Sequence, residues 1–507
     1  MPLIKKPRLA DARLQEFAAI DLGSNSFHML VAREQGGELQ IVDRLRDSVR
    51  LAAGLESGGR LSPPVAARAL GCLERFGERI RGIPASQVRA VGTNTMRKLQ
   101  SGSGFVAAAE AALGHPIEVI AGSEEARLVY SGVIHGRGRK RPRRLVVDIG
   151  GGSTELIIGR GDRPQLLESV SLGCVVHTQR YFGDGQISAP RFREARLAAG
   201  LELEFLQQTY RDAGWDLAIG SSGTIRGIWR VLRSRNWITE EITLDGLERL
   251  IELTLKKRHI REIDYPALRE DRRPVFIGGL AVLAAIFDSL QIERMETSDQ
   301  ALREGLLYDL LGRLSNCDIR DESVAAIMQR YAVDTEHAAD VERTALRILG
   351  QVAGAWRLDA ATATPYLRWA ARLHEVGLVI AHNGYHKHGN YILRHSDLQG
   401  FSQTDQHVLA TMVRLHRGKF VSTVFDELPA TLAPMARQLT LILRLAYLLH
   451  RSRAPRLRPP IEVKVTPRSI GISFTRDGWL ARHPLTQGDL EREATLLGGA
   501  GIKLKLR

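Results

Sequence analysis

Residues 18–32 read AAIDLGSNSFHMLVA, and residues 145–159 read LVVDIGGGSTELIIG. Laid over one another, Asp21 falls on Asp148, Gly23 on Gly150 and Ser26 on Ser153, and apolar, partly β-branched residues flank both loops. Each stretch reads as a strand, a tight polar turn and a second strand. An aspartate at the end of the incoming strand suits a hydrated divalent cation. A tip of small residues lets backbone N–H groups close on an anion. Two such hairpins facing each other would grip a chain of phosphates from both sides. Gly, Ser and Asn are also ordinary turn residues, so a single copy would carry little weight. The shared Asp-x-Gly-x-x-Ser order of two copies carries the reading.

Outward from the first hairpin, a third strand is predicted over 39–43 and a helix over 62–82, opened by Ser62, Pro63 and Pro64. A strand over 88–91 runs into the loop 92–95, followed by a helix over 103–113, a strand over 117–121 and a helix over 124–135 that Gly122 and Ser123 open. Residues 145–313 repeat this logic: the hairpin, a helix over 191–212, a strand over 217–219 that enters Gly220-Ser221-Ser222-Gly223-Thr224, helical regions over 244–258 and 280–290, a strand over 294–297 and a helix over 300–314. Strand–helix alternation means an α/β architecture, and two related lobes imply an internal duplication with a cleft between them. Residues 321–450 are rich in Ala, Leu, Arg and His without strand-like alternation, which predicts an all-helical domain. After the basic, proline-rich stretch 451–460, the tail predicts a small α/β unit. The expected domains are 1–140, 141–315, 316–452 and 453–507.

A chain of 507 residues with 44% hydrophobic and 25% charged residues has the composition of a soluble globular protein. The apolar run 276–287 is too short to span a bilayer and reads as a buried helix. The first sixteen residues are basic but lack an apolar core, so no signal peptide and a cytoplasmic location are expected. Cys72, Cys174 and Cys317 are scattered without a C-x-x-C, which argues against disulfides and a structural zinc site. The formal charge of +14 attracts polyanions, whether nucleic acid, phospholipid or polyphosphate. The run 137–144, RGRKRPRR, reads either as a landing patch for such a partner or as a solvated loop between lobes.

The stretches AIDLGSNSFHM and VVDIGGGSTEL, together with 91–99 (VGTNTMRKL), 121–128 (AGSEEARL), 219–228 (IGSSGTIRGI) and 301–310 (ALREGLLYDL), resemble the exopolyphosphatase and guanosine pentaphosphate phosphatase (Ppx/GppA) family. The helical half, with RLHEVGL at 372–378, is similar to the long form of that family. The resemblance implies two lobes of the actin, Hsp70 and sugar-kinase type, a helical HD-like domain and a homodimer.

It also places the water-activating glutamate on Glu125. By position alone, an acidic residue there is equally at home at a helix N-terminus. Asp148 and Glu155 stand at the two ends of the second tip and can converge on one Mg²⁺, with Asp21 the equivalent in the first hairpin, where His28 takes the place of Glu155. A monovalent cation such as K⁺ is a further candidate. Ser24, Asn25, Ser26, Gly150, Gly151, Gly152, Ser153 and Thr154 form the phosphate cradles. Arg97 is a candidate phosphate clamp, and Gly223 and Thr224 sit at an anion-friendly helix N-terminus. His337 and the His374-Glu375 pair resemble the HD phosphohydrolase pattern in outline, but Glu stands where that pattern needs Asp, and no second metal site is predicted. His382, His386, Lys387, His388 and His395 are expected to form a charged helical wall instead.

The leading expectation is Mg²⁺-dependent, processive exopolyphosphatase activity on inorganic polyphosphate. The alternative is removal of the terminal phosphate of pppGpp, with (p)ppGpp as a bound partner. An ATP-dependent kinase and a non-enzymatic alarmone or polyphosphate sensor are weaker readings. No nucleic-acid partner is expected, and the charge admits peripheral contact with the inner face of the cell membrane.

Overall fold

The computed structural model describes residues 15–35, 38–100, 104–135, 142–314, 318–453 and 459–506. The chain divides into two compact units, Met1–Cys317 and Asp318–Arg507. The boundary between them lies two residues beyond the expected division between 315 and 316. Cys317 and residues 137–141 of the basic run lie outside the described residues.

The first unit contains two sheets. Strands β1 (Glu16–Leu22), β2 (Phe27–Gln35), β3 (Glu38–Asp47), β4 (Val88–Gly92) and β5 (Ile117–Val119) form one sheet in the order β3-β2-β1-β4-β5. Strands β6 (Arg143–Ile149), β7 (Thr154–Arg160), β8 (Arg163–Val170), β9 (Leu217–Ser221), β10 (Ile242–Thr243) and β11 (Arg294–Thr297) form the other, in the order β10-β11-β9-β6-β7-β8. Read from the antiparallel edge, β8-β7-β6-β9-β11 repeats β3-β2-β1-β4-β5. The duplication visible in two loops therefore extends to five strands of each sheet, and β10 is an addition to the second. Arg143 and Arg144 belong to β6, where Arg144 is buried, so the end of the basic run is a strand and not a surface patch.

Several elements escape the sequence pattern. Strand β8 is an edge strand with little buried surface, so its residues carry no clear alternation. The helix Ser222–Ser234 starts in the Ser/Gly run, at the helix N-terminus expected around Gly223 and Thr224, but its length is not marked in the sequence. The apolar helix runs Phe276–Leu290 and starts before the expected 280, because Gly278 and Gly279 pack where a Cβ would meet Thr178 and Thr224. Apart from Asp288, that helix is buried in the core of the second lobe, as its composition predicts.

A core shared by both sheets holds the lobes together. It draws Ala19 and Leu30 from the first sheet, Val146 and Ile157 from the second, and Tyr130, Val133 and Leu306 from two helices, Gly122–Ile134 and Leu302–Leu314. These helices cross closely at glycines. A Cβ on Gly132 would fall on the Ala301 carbonyl oxygen, and one on Gly305 would fall on that of Leu128. Overpacking of this kind costs about 1–3 kcal/mol. Gly305→Ala is therefore expected to lower the melting temperature and to reduce activity, because the displaced helix carries Glu125; an unchanged melting curve would contradict this packing.

In the second unit the helices Ile319–Arg330, Thr335–Trp356, Ala360–Leu373, Tyr385–His395, Gln403–Leu415 and Ala433–His450 confirm the all-helical reading. Strands β12 (Ile461–Thr466), β13 (Ser469–Phe474) and β14 (Lys503–Leu506) form a small sheet with the helix Pro484–Gly498. The helices and this sheet share one core, in which Trp369 and Leu443 belong with Ile472 and Leu490. The buried ion pair of Arg444 Nε with Glu493 Oε1, at 2.5 Å, links the helix Ala433–His450 to the helix Pro484–Gly498.

Candidate active site

Both hairpins end at one cleft. Antiparallel register sets Asp21 directly opposite His28 and Asp148 directly opposite Glu155, so each pair projects from the same face of its sheet. Glycine is needed at the second tip. A Cβ on Gly151 would come within 2.9 Å of Ser24 Cβ, and one on Gly152 within 2.6 Å of Asn94 Oδ1. The two tips therefore abut across the lobes. Thr95 Oγ1 donates to Ser24 Oγ at 2.8 Å and fixes the first tip.

Cavity-lining residues include Asp21, Ser24, Asn25, Ser26, Gly150, Gly151, Ser153, Gly223, Glu125 and Asp148. The remaining sequence candidates stand elsewhere. Arg97 is not on the wall: Nη1 donates to Glu125 Oε2 at 3.0 Å and to the Ile120 carbonyl at 2.9 Å. It orients the carboxylate, where a phosphate clamp was expected. The Thr154 hydroxyl is committed to the Leu172 carbonyl, and Thr154 is fully buried. Gly152 is closed over by Asn94. Thr224 lies one position beyond the lining residue Gly223. Glu155 does not line the wall either; it is 1% exposed, and Ser169 Oγ donates to its Oε1 at 3.0 Å.

The helix Gly122–Ile134 separates its two adjacent glutamates. Glu124 turns into a buried ionic network, accepting from Arg127 Nε at 2.7 Å, while Glu125 faces the cavity. That network also contains Arg89, Glu118, Asp309 and Arg313.

Three carboxylates, Asp21, Glu125 and Asp148, line the cleft, and the buried Glu155 interacts with two of them. Burial, with Glu125 and Asp148 nearby and Arg303 opposing, pushes Asp21 up to about 7. Burial also raises Glu125, against Arg97, and Asp148, against the hydrogen bond from Ser221 Oγ. Glu155 is raised well above the ordinary range by burial and by Glu125 and Asp148. Such a cluster repels itself unless protons or cations sit in it. Asp21 Oδ1 is buried and makes no hydrogen bond. An all-oxygen donor set with an orphaned carboxylate oxygen fits a hard divalent cation such as Mg²⁺.

The rest of the cavity lining is arginine-rich, and the sequence reading does not single out these arginines. Arg44 and Arg46 come from β3, Arg226 and Arg230 from the helix Ser222–Ser234, Arg269 and Arg272 from the segment before the apolar helix, and Arg303 from the helix Leu302–Leu314. Arg46 Nη2 donates to Ser26 Oγ at 3.2 Å and pairs with Asp271 across the lobes. Arg303 Nη1 donates to His28 Nδ1 at 2.8 Å. The signals that could have found these residues are local. Arg44 and Arg46 share a strand face at period two, and Arg226 and Arg230 share a helix face at i, i+4.

The Ppx/GppA phosphatase family model matches residues 30–314, and its domain III model matches residues 319–494. The chain belongs to the Ppx/GppA phosphatase family. As a member it is a phosphatase, a hydrolase of phosphoanhydride bonds. A curated relative from Vibrio cholerae serotype O1, named guanosine-5'-triphosphate,3'-diphosphate pyrophosphatase, is 40% identical over 97% of this chain and 98% of its own. The protein of that name from Pseudoalteromonas translucida is 38% identical over 96% and 97%. Among solved structures, an exopolyphosphatase from Cytophaga hutchinsonii is similar with a TM-score of 0.53 at 22% identity, covering 59% of this chain and 98% of that one. That likeness supports the fold alone.

Proposed function

We propose that this Ppx/GppA phosphatase removes the terminal 5'-phosphate of pppGpp, giving ppGpp and orthophosphate. The observation that carries this reading is full-length similarity, at 40% identity over 97% of the chain, to a protein named for that substrate. It reverses the expected order of preference, in which polyphosphate came first. One observation still favours polyphosphate as a second substrate. Among the described residues, the cavity wall offers no aromatic ring for a base apart from His28, and it is dominated by arginine, serine and glycine.

Glu125 holds a water against the terminal phosphorus and takes its proton as the oxygen attacks. The bond from that phosphorus to the bridging oxygen breaks, and the electron pair leaves with ppGpp. The arginine wall binds the phosphate oxygens and offsets the charge that the carboxylates bring. Asp21 and Asp148, with Glu155 beside them, are the residues that would hold Mg²⁺, which when bound neutralises phosphate charge and stabilises the leaving oxygen. Turnover in ¹⁸O-water tests the route. Attack at the terminal phosphorus places the label in orthophosphate, whereas label recovered in ppGpp would refute it.

Mg²⁺ binding should depend on pH. Asp21, raised from 3.8 to about 7, holds its proton below about pH 7 in the folded, metal-free chain, so that stability from this group falls as pH rises from about 4 through 7. A divalent cation binds the ionised form. The rise in melting temperature on adding Mg²⁺ is therefore expected to be larger at pH 8 than at pH 5.5, and equal rises would contradict the assignment.

A further inference from the structure

We propose that the second unit holds a transition cation of the zinc class on His337, His374 and Glu375. One ligand atom from each of these buried residues lies within 4.8 Å of the others. Glu375 Oε1 stands 3.7 Å from His337 Nε2 and 3.9 Å from His374 Nε2. Ligand atoms about 2.0–2.1 Å from a tetrahedral zinc stand about 3.4 Å apart, so Glu375 needs shifts of only a few tenths of an ångström, and the two imidazoles, within 4.8 Å of each other, must close by about an ångström or less on each side.

His374 supplies the independent sign. It is fully buried, and its Nδ1 lies 2.7 Å from the Ala371 carbonyl oxygen. A carbonyl can only accept, so Nδ1 carries the proton and Nε2 presents its lone pair. That Nε2 is buried and makes no hydrogen bond. A backbone carbonyl fixing the far nitrogen is the usual support of a metal-ligating histidine. Local structure fixes the partners. His374 and Glu375 end the helix Ala360–Leu373, while His337 sits in the first turn of the helix Thr335–Trp356, where Asp334 Oδ1 accepts its N–H at 3.0 Å. Burial lowers His337 and lowers His374 to about 4.

Arg453 competes for the carboxylate. Its Nη2 donates to Glu375 Oε1 and Oε2 at 2.6 and 2.7 Å, and its Nη1 donates to Asp334 at 2.9 Å. The guanidinium supplies the positive charge that the buried carboxylate needs in the metal-free chain. An incoming ion takes Glu375 and leaves Arg453 on Asp334. Two imidazoles and one carboxylate favour zinc or cobalt over Mg²⁺, which separates this site from the oxygen-lined cleft of the first unit. In the sequence, the missing histidine–aspartate doublet weighs against a metal here. In the structure, the glutamate reaches both imidazoles.

The test is titration of the full chain with Co²⁺ under excess Mg²⁺, reading the visible absorption that nitrogen ligands in low coordination confer. One equivalent per chain should give the band, and Zn²⁺ should abolish it. His374→Ala should lose the band, as should His337→Gln, which keeps the test readable if the first variant fails to fold. Arg453→Ala should bind at least several-fold more tightly. No band in the parent chain, a band surviving in a folded histidine variant, or weaker binding by Arg453→Ala would overturn the proposal.

Discussion

Glu125→Gln is expected to lower turnover of pppGpp by about 10²–10⁴-fold, the usual contribution of a positioned general base. Binding of pppGpp should stay within a few-fold of the parent chain or tighten. Glutamine keeps the shape of the side chain but cannot take the proton of the attacking water. The binding surface is the arginine wall and the two tips, which the change leaves in place. Stability should change little, because two effects oppose each other. The variant loses the 3.0 Å ion pair with Arg97, and it relieves repulsion from Asp148 and Glu155. Single-turnover kinetics beside equilibrium binding would separate the two quantities. Equal losses in both would mean that Glu125 holds the substrate and does not activate water.

Asp309→Asn should have the largest effect on stability, a loss of about 3–5 kcal/mol, as expected when one partner is removed from a buried charge network. The Asp309 side chain is 4% exposed and meets Arg89 Nη1 at 2.5 Å and Arg313 Nε at 2.9 Å, and also pairs with Arg127. The network balances three guanidiniums against Glu118, Glu124 and Asp309. Removing one carboxylate leaves a positive charge stranded beside the fully buried Arg89. The arginines hold Asp309 well below the ordinary carboxylate range, so its contribution is complete at neutral pH and is lost only in strong acid. Chemical denaturation at pH 7 measures the loss. A change below 1 kcal/mol would show that the network contributes little, as exposed pairs do.

The duplication was legible because two loops kept the same small residues at the same positions. The structure shows why they are small: at Gly151 and Gly152 the facing tip and Asn94 leave no room for a Cβ. The pairing of Asp148 with Glu155 followed from hairpin geometry. What stayed hidden depends on contacts distant in sequence. The roles of Glu124 and Glu125 differ because one side chain reaches Arg127 and the other turns to the cleft, and adjacency in sequence says nothing of that. The arginine wall is assembled from separate elements in a chain with many arginines, so no single one stands out. Arg97 reads as a phosphate ligand because its type and position allow it; only the fold shows that Glu125 occupies it. His337 and His374 lie far apart in sequence, and the burial that leaves one imidazole nitrogen unpartnered is a property of packing.

Substrate preference separates an alarmone phosphatase from an exopolyphosphatase built on the same cleft. It is read by measuring orthophosphate release from pppGpp and from long-chain polyphosphate in parallel, with Mg²⁺ and with EDTA. The expected result is Mg²⁺-dependent release with a higher kcat/KM for pppGpp. Faster release from polyphosphate would contradict the proposed function and return the cleft to an exopolyphosphatase.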